Sequence, residues 1–285
     1  MFRVLEKRQI GPEIQEYVIE APEVARAARA GQFIVLRLHE RGERIPLTIV
    51  ETMPDTGGVR LVVQEVGKTT KEMGARFNAG DSILDFVGPL GEPSEIENYG
   101  TVICVGGGVG IAPLLPIARA LRAAGNRVIG IIGARNAELL FYEKEMSAAC
   151  DEIHIMTDDG SYGQKGFVSQ PLEEILASEV AIDRVWVIGP PIMMKVCAEV
   201  TRPYGVPTIV SLNPVMIDGT GMCGGCRVEV DGVARFACVD GPEFDGHAVN
   251  FDQLMARLRY FSDSEAEAVE HHADCLCRSQ EGTKT

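Results

Sequence analysis

The sequence predicts a multidomain β + α/β protein. An antiparallel β-barrel is expected over residues 1–98, a parallel α/β nucleotide-binding domain over 99–211, and a small cysteine-bearing module over 212–285. Three observations predict this. The N-terminal third is rich in short β-branched runs punctuated by turn residues. After Gly106–Gly110 the pattern changes to strands alternating with amphipathic helices, as in a parallel sheet with crossover helices. Beyond residue 211 one glycine-rich segment gathers Asp218, Cys223, Cys226 and Cys238.

Within the first part, Phe33–Leu38 and Val59–Val66 read as strands, and Gly57-Gly58 supplies a hairpin turn. Lys71–Phe77 predicts a short helix, and Asp81–Val87 a further strand ending in Gly88-Pro89-Leu90-Gly91. Many short strands with turn signals predict a small barrel. In the second part, Thr101–Val105 predicts a buried strand, and a helix opens at Ala112-Pro113, where proline suits the first turn. Further strands are expected at Val128–Ile132, Glu152–Thr157, Val185–Ile188 and Thr208–Val210, with helices near 138–149, 168–178 and 192–200. The glycine loop between strand and helix lets amides approach a pyrophosphate, and the helix N-terminus adds a favourable dipole. Phe251–Tyr260 has helical spacing, with Leu254, Leu258 and Phe261 on one face. Core packing and docking to a partner explain that face equally well.

Composition narrows the function classes. A net charge of −14 argues against a nucleic-acid partner. No apolar run approaches the ~20 residues that span a bilayer. The N-terminus alternates like a strand and lacks a signal-peptide core, so no membrane partner and a cytoplasmic location are expected. Disulfides are not expected in that compartment. Cys104, Cys150 and Cys197 lie in apolar or helical contexts and are expected to be buried free thiols. Cys275 and Cys277, beside His271 and His272, lie in a polar tail that is expected to be partly ordered.

The chemistry-bearing segment is Pro214–Asp240. Cys223 and Cys226 form a C-x-x-C, Cys238 follows after eleven intervening residues, and Asp218 precedes Cys223 by five positions. Two thiolates so spaced grip a metal from a tight turn, and glycines let amides point at sulfur. Three cysteines and one further anion make a ligand set for a [2Fe–2S] cluster, with Asp218 as the fourth ligand. Structural zinc accepts the same residue types, but paired knuckles are its commoner pattern and Cys238 has no C-x-x-C partner.

This run resembles the C-terminal region of the electron-transfer subunit of dihydroorotate dehydrogenase, where the order is C-x4-C-x2-C and a later Cys. Asp218 in the first position instead resembles the small subunit of NADH-dependent reduced ferredoxin:NADP oxidoreductase, also called a sulfide dehydrogenase subunit. In that family an aspartate and three cysteines hold the cluster. Arg44-Ile45-Pro46-Leu47-Thr48 resembles the R-x-P-x-[ST] flavin motif of the ferredoxin–NADP reductase superfamily. The resemblance implies Arg44 on a phosphate of FAD, Pro46 and Leu47 along the isoalloxazine, and Thr48 near its N5. Val66, Gly67, Thr69 and Thr70 sit where the family meets the flavin diphosphate.

Gly106–Leu114 resembles the superfamily's G-G-G-x-G-x-A-P-L, which places Gly107, Gly108, Gly110, Ala112 and Pro113, with Arg135, on the nucleotide. Ile188–Met194 resembles the C-G-P-x-x-M element beside the nicotinamide, implying Gly189, Pro190 and Met193, with Ile188 in place of the usual Cys. NADP-specific relatives place Ser and Arg where this chain has Asp158 and Asp159. Two carboxylates repel a 2′-phosphate and suit ribose hydroxyls, so NAD(H) is expected, with Lys165 nearby as the opposing charge. Gly241-Pro242-Glu243-Phe244 resembles the family's D-G-P-x-F element.

The resemblance covers about residues 3–260. It implies electron transfer between NAD(H), FAD and a [2Fe–2S] cluster, onward to a larger flavin and iron–sulfur subunit in a heterodimer or higher assembly. Ferredoxin and NADP(H) would be that subunit's substrates, in an electron-bifurcating oxidoreductase. Hydride transfer needs no side-chain acid or base, so no catalytic residue is nominated. The alternatives are an electron-transfer subunit of dihydroorotate dehydrogenase or of a sulfide dehydrogenase and, from a different class, a zinc-bearing nucleotide-binding regulatory subunit.

Overall fold

The structure is a computed structural model that describes residues 1–270. The expectations for His271, His272, Cys275 and Cys277 lie outside the described residues. The N-terminal part comprises β1 (Phe2–Gly11), β2 (Ile14–Glu20), α1 (Pro22–Ala27), β3 (Phe33–Arg37), β4 (Arg44–Thr48), β5 (Glu51–Met53), β6 (Gly58–Gln64), α2 (Lys68–Arg76), β7 (Ser82–Ile83) and β8 (Asp85–Leu90). Its strands form two antiparallel sheets, β5-β6-β2-β1-β7 and β4-β3-β8, closed around a shared interior. The strand expected over Asp81–Val87 is split. Ser82–Ile83 pairs with β1, whereas Asp85–Leu90 pairs with β3. The chain turns the corner between sheets at Leu84, whose amide donates to Leu38 O.

The second part comprises β9 (Thr101–Gly107), α3 (Ile111–Ala123), β10 (Arg127–Ala134), α4 (Glu143–Ala149), β11 (Glu152–Thr157), β12 (Gln164–Lys165), α5 (Ser169–Leu176), β13 (Arg184–Ile188), α6 (Pro191–Thr201) and β14 (Thr208–Ser211). The strand order β12-β11-β10-β9-β13-β14 is parallel throughout. The central strands are buried on both faces, which explains their continuous apolar runs. The helix expected near 138–149 is interrupted. A 3-10 turn at Ala137–Leu139 is followed by Tyr142 in the left-handed region (φ 59°), and only then does α4 begin.

The last part adds β15 (Arg227–Val230), β16 (Val233–Phe236), β17 (Glu243–Asp245) and α7 (Phe251–Arg259). β15 and β16 form a hairpin, while β17 joins the nucleotide sheet as an antiparallel edge strand beside β14. Leu254 is buried and Leu258 packs inward, but Phe261 is 46% exposed. α7 ends before Phe261, so the helical phase that would bury it is not carried that far. Among the described residues no helix is long and apolar enough to cross a membrane. Cys104, Cys150 and Cys197 are buried and free.

Buried polar groups tie the three parts together. Asn126 accepts from the amides of Tyr99 and Gly100 and donates to the carbonyls of Glu97 and Leu121, stitching the connecting segment to α3. Glu243 on β17 accepts from Ser94 Oγ and, at 3.3 Å, from Trp186 Nε1 on β13. Burial pushes the Glu243 carboxyl above its ordinary range. A raised folded-state value favours the protonated acid. Its contribution to stability is therefore present below the unfolded-state value and lost as pH rises through the folded-state one. Glu243→Gln should flatten the fall in melting temperature between mildly acidic and mildly alkaline buffer. An equally steep fall in the variant would show that another group is responsible.

Candidate active site and cysteine loop

A cavity of about 950 Å³ lies between the barrel and the parallel sheet. Pro46, Leu47 and Thr48 line it from β4. Gly107, Gly108, Gly110, Ala112 and Pro113 line it from the glycine loop and the start of α3. Gly189, Pro190 and Met193 form a second edge of the nucleotide side, and Arg135 and Asp158 stand on its wall. A pattern dispersed over the chain thus converges on one space.

The glycines there are dictated by close approach. A Cβ on Gly107 would lie 2.2 Å from Met193 Sδ, and one on Gly110 2.3 Å from the carbonyl oxygen of Ile188. The loop and the Ile188–Met194 element can meet only without side chains at these positions. α3 then points its N-terminus toward the space, where free amides favour an anion.

Other expected residues lie outside the cavity lining. Arg44 is exposed on β4 and has no carboxylate partner among the described residues. Its cross-strand neighbour Arg37 does, donating to Asp85 at 2.6 Å. Arg44 is the free cation of that pair. Thr70 serves as a helix cap: its hydroxyl accepts from the amides of Val66 and Gly67 at 3.1 and 3.0 Å. Thr69 donates to Glu43 at 2.9 Å, and Lys68 pairs with the same carboxylate. The threonine hydroxyls, expected as donors to a diphosphate, are thus engaged locally. The amides in the first turn of α2 are the groups left to offer.

Asp158 faces the cavity, but Asp159 does not line it. Its carboxylate caps the following turn by accepting from the Ser161 amide at 2.9 Å. Hydrogen bonds from Ser161 hold it below the usual carboxylate range. The expected pair of repelling carboxylates is therefore reduced to one on the wall. Sequence reasoning missed Phe167, whose ring is 63% exposed and lines the same cavity, offering a face for stacking. It also missed Phe33, and Met216 and Pro242 from the C-terminal part. No local signal marks these; they are brought in by packing.

The cysteine loop begins two residues beyond Met216. Cys226 and Cys238 are buried with their sulfurs 3.2 Å apart, and Cys223 is exposed. Cys223 Sγ accepts from the Gly225 amide at 3.4 Å. Asp218 accepts from the amides of Thr220 and Cys223, at 3.0 and 2.7 Å, and these bonds hold it as a carboxylate. Among the described residues no three or more His, Cys, Asp or Glu side chains converge as on a single metal ion. The four expected ligands are thus gathered along one loop, with the Asp218 carboxylate turned toward the loop's own amides. The donor set itself, three thiols and a carboxylate with glycine amides at sulfur, fits an iron–sulfur cluster.

Gly219 (φ +73°) seats this loop against the barrel, since a Cβ there would lie 2.6 Å from Leu90 Cδ1 and 3.3 Å from Val35 Cγ2. Gly219→Ala should reduce iron bound per chain and lower the melting temperature. Left-handed strain contributes about 1 kcal/mol and overpacking a further ~1–3 kcal/mol. Gly232→Ala has similar strain (φ +70°) but meets nothing within 4 Å. Equal loss of iron in both variants would remove the role assigned to packing.

A sequence profile of the iron–sulfur cluster binding domain of dihydroorotate dehydrogenase B matches residues 213–250, and one of the oxidoreductase NAD-binding domain matches residues 104–199. The chain is 50% identical over 267 residues to a dihydroorotate dehydrogenase B (NAD(+)) electron transfer subunit homolog of Thermotoga maritima, covering 94% of each. It is 31% identical to the electron transfer subunit of Geobacillus thermodenitrificans, over 85% of this chain and 94% of that one. Among solved structures it is similar to a chain of the NADH-dependent reduced ferredoxin-NADP oxidoreductase. That match has a TM-score of 0.90 and 48% identity, over 95% of this chain and 97% of the other. Phthalate dioxygenase reductase, at 17% identity and a TM-score of 0.58, shares the fold. Agreement at this level along nearly the whole length, through both the nucleotide loop and the cysteine loop, means that the chain belongs to the family of dihydroorotate dehydrogenase B electron-transfer subunits and their homologues.

Proposed function

We propose that this electron-transfer subunit passes electrons between NAD(H), FAD and a [2Fe–2S] cluster to a larger flavin and iron–sulfur partner. In this reading it is the NAD side of an electron-bifurcating NADH-dependent ferredoxin:NADP oxidoreductase, with ferredoxin and NADP(H) handled by the partner. The cofactors are FAD, an iron–sulfur cluster and NAD(H). The observation that carries the reading is that one cavity is walled by β4 and by the glycine loop, while the cysteine loop docks on β3 and β8 beside it. The likeness to the oxidoreductase chain supports the assignment to that enzyme over dihydroorotate dehydrogenase, as does Asp218 in place of the first cysteine.

A bound flavin takes two electrons as a hydride and releases them singly, and an iron–sulfur cluster carries them one at a time. The chain's own residues bind, align and exclude water. Gly107, Gly108 and Gly110, with Ala112 and Pro113 opening α3, would hold the pyrophosphate. Asp158 would take ribose hydroxyls and oppose a 2′-phosphate, with Arg135 beside it. Gly189, Pro190 and Met193 would bound the nicotinamide. Pro46, Leu47 and Thr48 would face the flavin ring, Arg44 its phosphate, and Val66, Gly67, Thr69 and Thr70 would bring the first turn of α2 to the diphosphate. Asp218, Cys223, Cys226 and Cys238 would hold the cluster. Arg135 and Asp158 are the only charged side chains on the cavity wall among the described residues. The β4 wall of Pro46, Leu47 and Thr48 and the Gly189–Met193 edge carry no titratable side chain, in keeping with a hydride transfer that needs no acid or base.

Protein purified without oxygen should contain flavin, with two irons and two acid-labile sulfides per chain, and its visible absorbance should bleach on adding NADH. Flavin without iron would leave an NADH–flavin reductase, and neither chromophore would end this reading. Asp218→Cys should raise the cluster's midpoint potential or reshape its spectrum, since a carboxylate is a harder ligand than thiolate and favours ferric iron. An unchanged midpoint and spectrum would exclude Asp218 as a ligand.

A further inference from the structure

A run of polar side chains crosses from the nucleotide domain to the barrel and back, and none of the cofactor assignments uses it. β2, β5 and β6 turn one face toward α3. Strand alternation places Ile14 and Glu16 together on that face, and likewise Arg60 and Val62. Its apolar members Ile14, Val50 and Val62 pack with α3 residues and line the cavity. Its polar members sit beside them. Glu16, only 4% exposed, accepts a hydrogen bond from the hydroxyl of Tyr142 across the domain boundary. Arg8 donates to the same carboxylate at 3.0 Å, and Arg60 Nη1 lies 3.5 Å from it. Arg60 Nε lies 3.2 Å from Glu51, an ion-pair contact without hydrogen-bond alignment. Glu51 accepts from Arg119 on α3 at 3.0 Å.

The run Tyr142–Glu16–Arg60–Glu51–Arg119 therefore begins and ends in the nucleotide domain and pins it to the barrel at two separate points. Tyr142 is held in a left-handed backbone conformation (φ 59°) that bulky residues seldom adopt, with its ring buried and set edge-on against Phe141. The interruption of the predicted helix before α4 is what delivers its hydroxyl to Glu16. Burial, then the bond to Glu16, raises the phenol's affinity for its proton, so it remains a donor.

We infer that this run is a latch that sets the spacing between the two cavity walls, with Tyr142 as a positioning residue for hydride transfer. The inference rests on the proposed assignment of the β4 wall to flavin and the Gly189–Met193 wall to nicotinamide. Those walls belong to different domains, so any rotation of one domain on the other changes their separation. A misplacement of ~1 Å at reacting atoms costs up to about a hundredfold in rate.

The test uses the full chain loaded with its cofactors. In stopped flow, Tyr142→Phe should lower the limiting rate of flavin reduction by NADH about tenfold, while the NADH dissociation constant stays within about twofold. The long-wavelength charge-transfer absorbance of the flavin–nicotinamide complex should weaken in parallel. Arg119→Gln, at the exposed end of the run, should give a smaller fall of the same kind. A lowered melting temperature with unchanged limiting rate and charge-transfer band would overturn the latch and leave a structural contact only. If Tyr142→Phe does not fold, the limiting rate of Arg119→Gln decides in the same way. If the unaltered protein shows no flavin reduction by NADH, the proposed function itself fails. The latch is then decided by small-angle scattering of cofactor-free protein: Tyr142→Phe should lengthen the interdomain distances, and an unchanged curve overturns it.

Discussion

Phe33 and Val35 of β3 belong to the core of the neighbouring sheet, while Ile34 and Leu36 of the same strand fill the interior of their own barrel. This two-sided burial is the contact on which the arrangement depends. The strand's period of two sends alternate side chains into two cores. Phe33 also lines the cavity, and Val35 meets the cysteine loop at Gly219. One strand thereby holds the cavity and the ligand loop in a fixed relation. A hydrophobic contact of this kind gives adhesion without direction, so orientation has to come from elsewhere.

Direction comes from polar groups set into the same junctions. Asn126 makes four hydrogen bonds at the join between the connecting segment and α3. Glu243 reaches from the C-terminal part to Trp186 and Ser94. Glu16 receives Tyr142. Each is largely removed from water, where an unmatched partner costs more than a matched pair contributes. Such groups tolerate few alternative dockings.

The cysteine loop combines the two effects. Its sulfurs sit partly in the shared core, with Cys226 and Cys238 each about 1% exposed, while Cys223 faces outward beside Met222 at 89% exposure. The loop thus offers two buried thiols and one that is open to solvent. Asp218 is held by amides of its own loop, so its carboxylate is fixed in place as well as in charge.

Much of this was legible in the amino-acid order. Local signals sufficed for the strand-rich beginning, the βα alternation, the glycine loop and the cysteine segment, because each rests on short-range chemistry: side-chain period, turn residues, ligand spacing. Most nucleotide-side residues and the β4 residues Pro46, Leu47 and Thr48 do line one cavity. What the order of residues does not show has tertiary causes. The Asp159 carboxylate and the Thr70 hydroxyl accept from neighbouring amides, an engagement that depends on where the backbone turns. The Asp81–Val87 strand divides because its ends pair with different sheets. The helix before α4 breaks at Tyr142, whose hydroxyl donates to Glu16, a partner 126 residues away in sequence. The sequence by itself determined which residue types could hold phosphate, sulfur-bound iron and a flavin. Only the tertiary structure decided which of them face one space, because that depends on long-range packing between strands that carry no local mark of their neighbours.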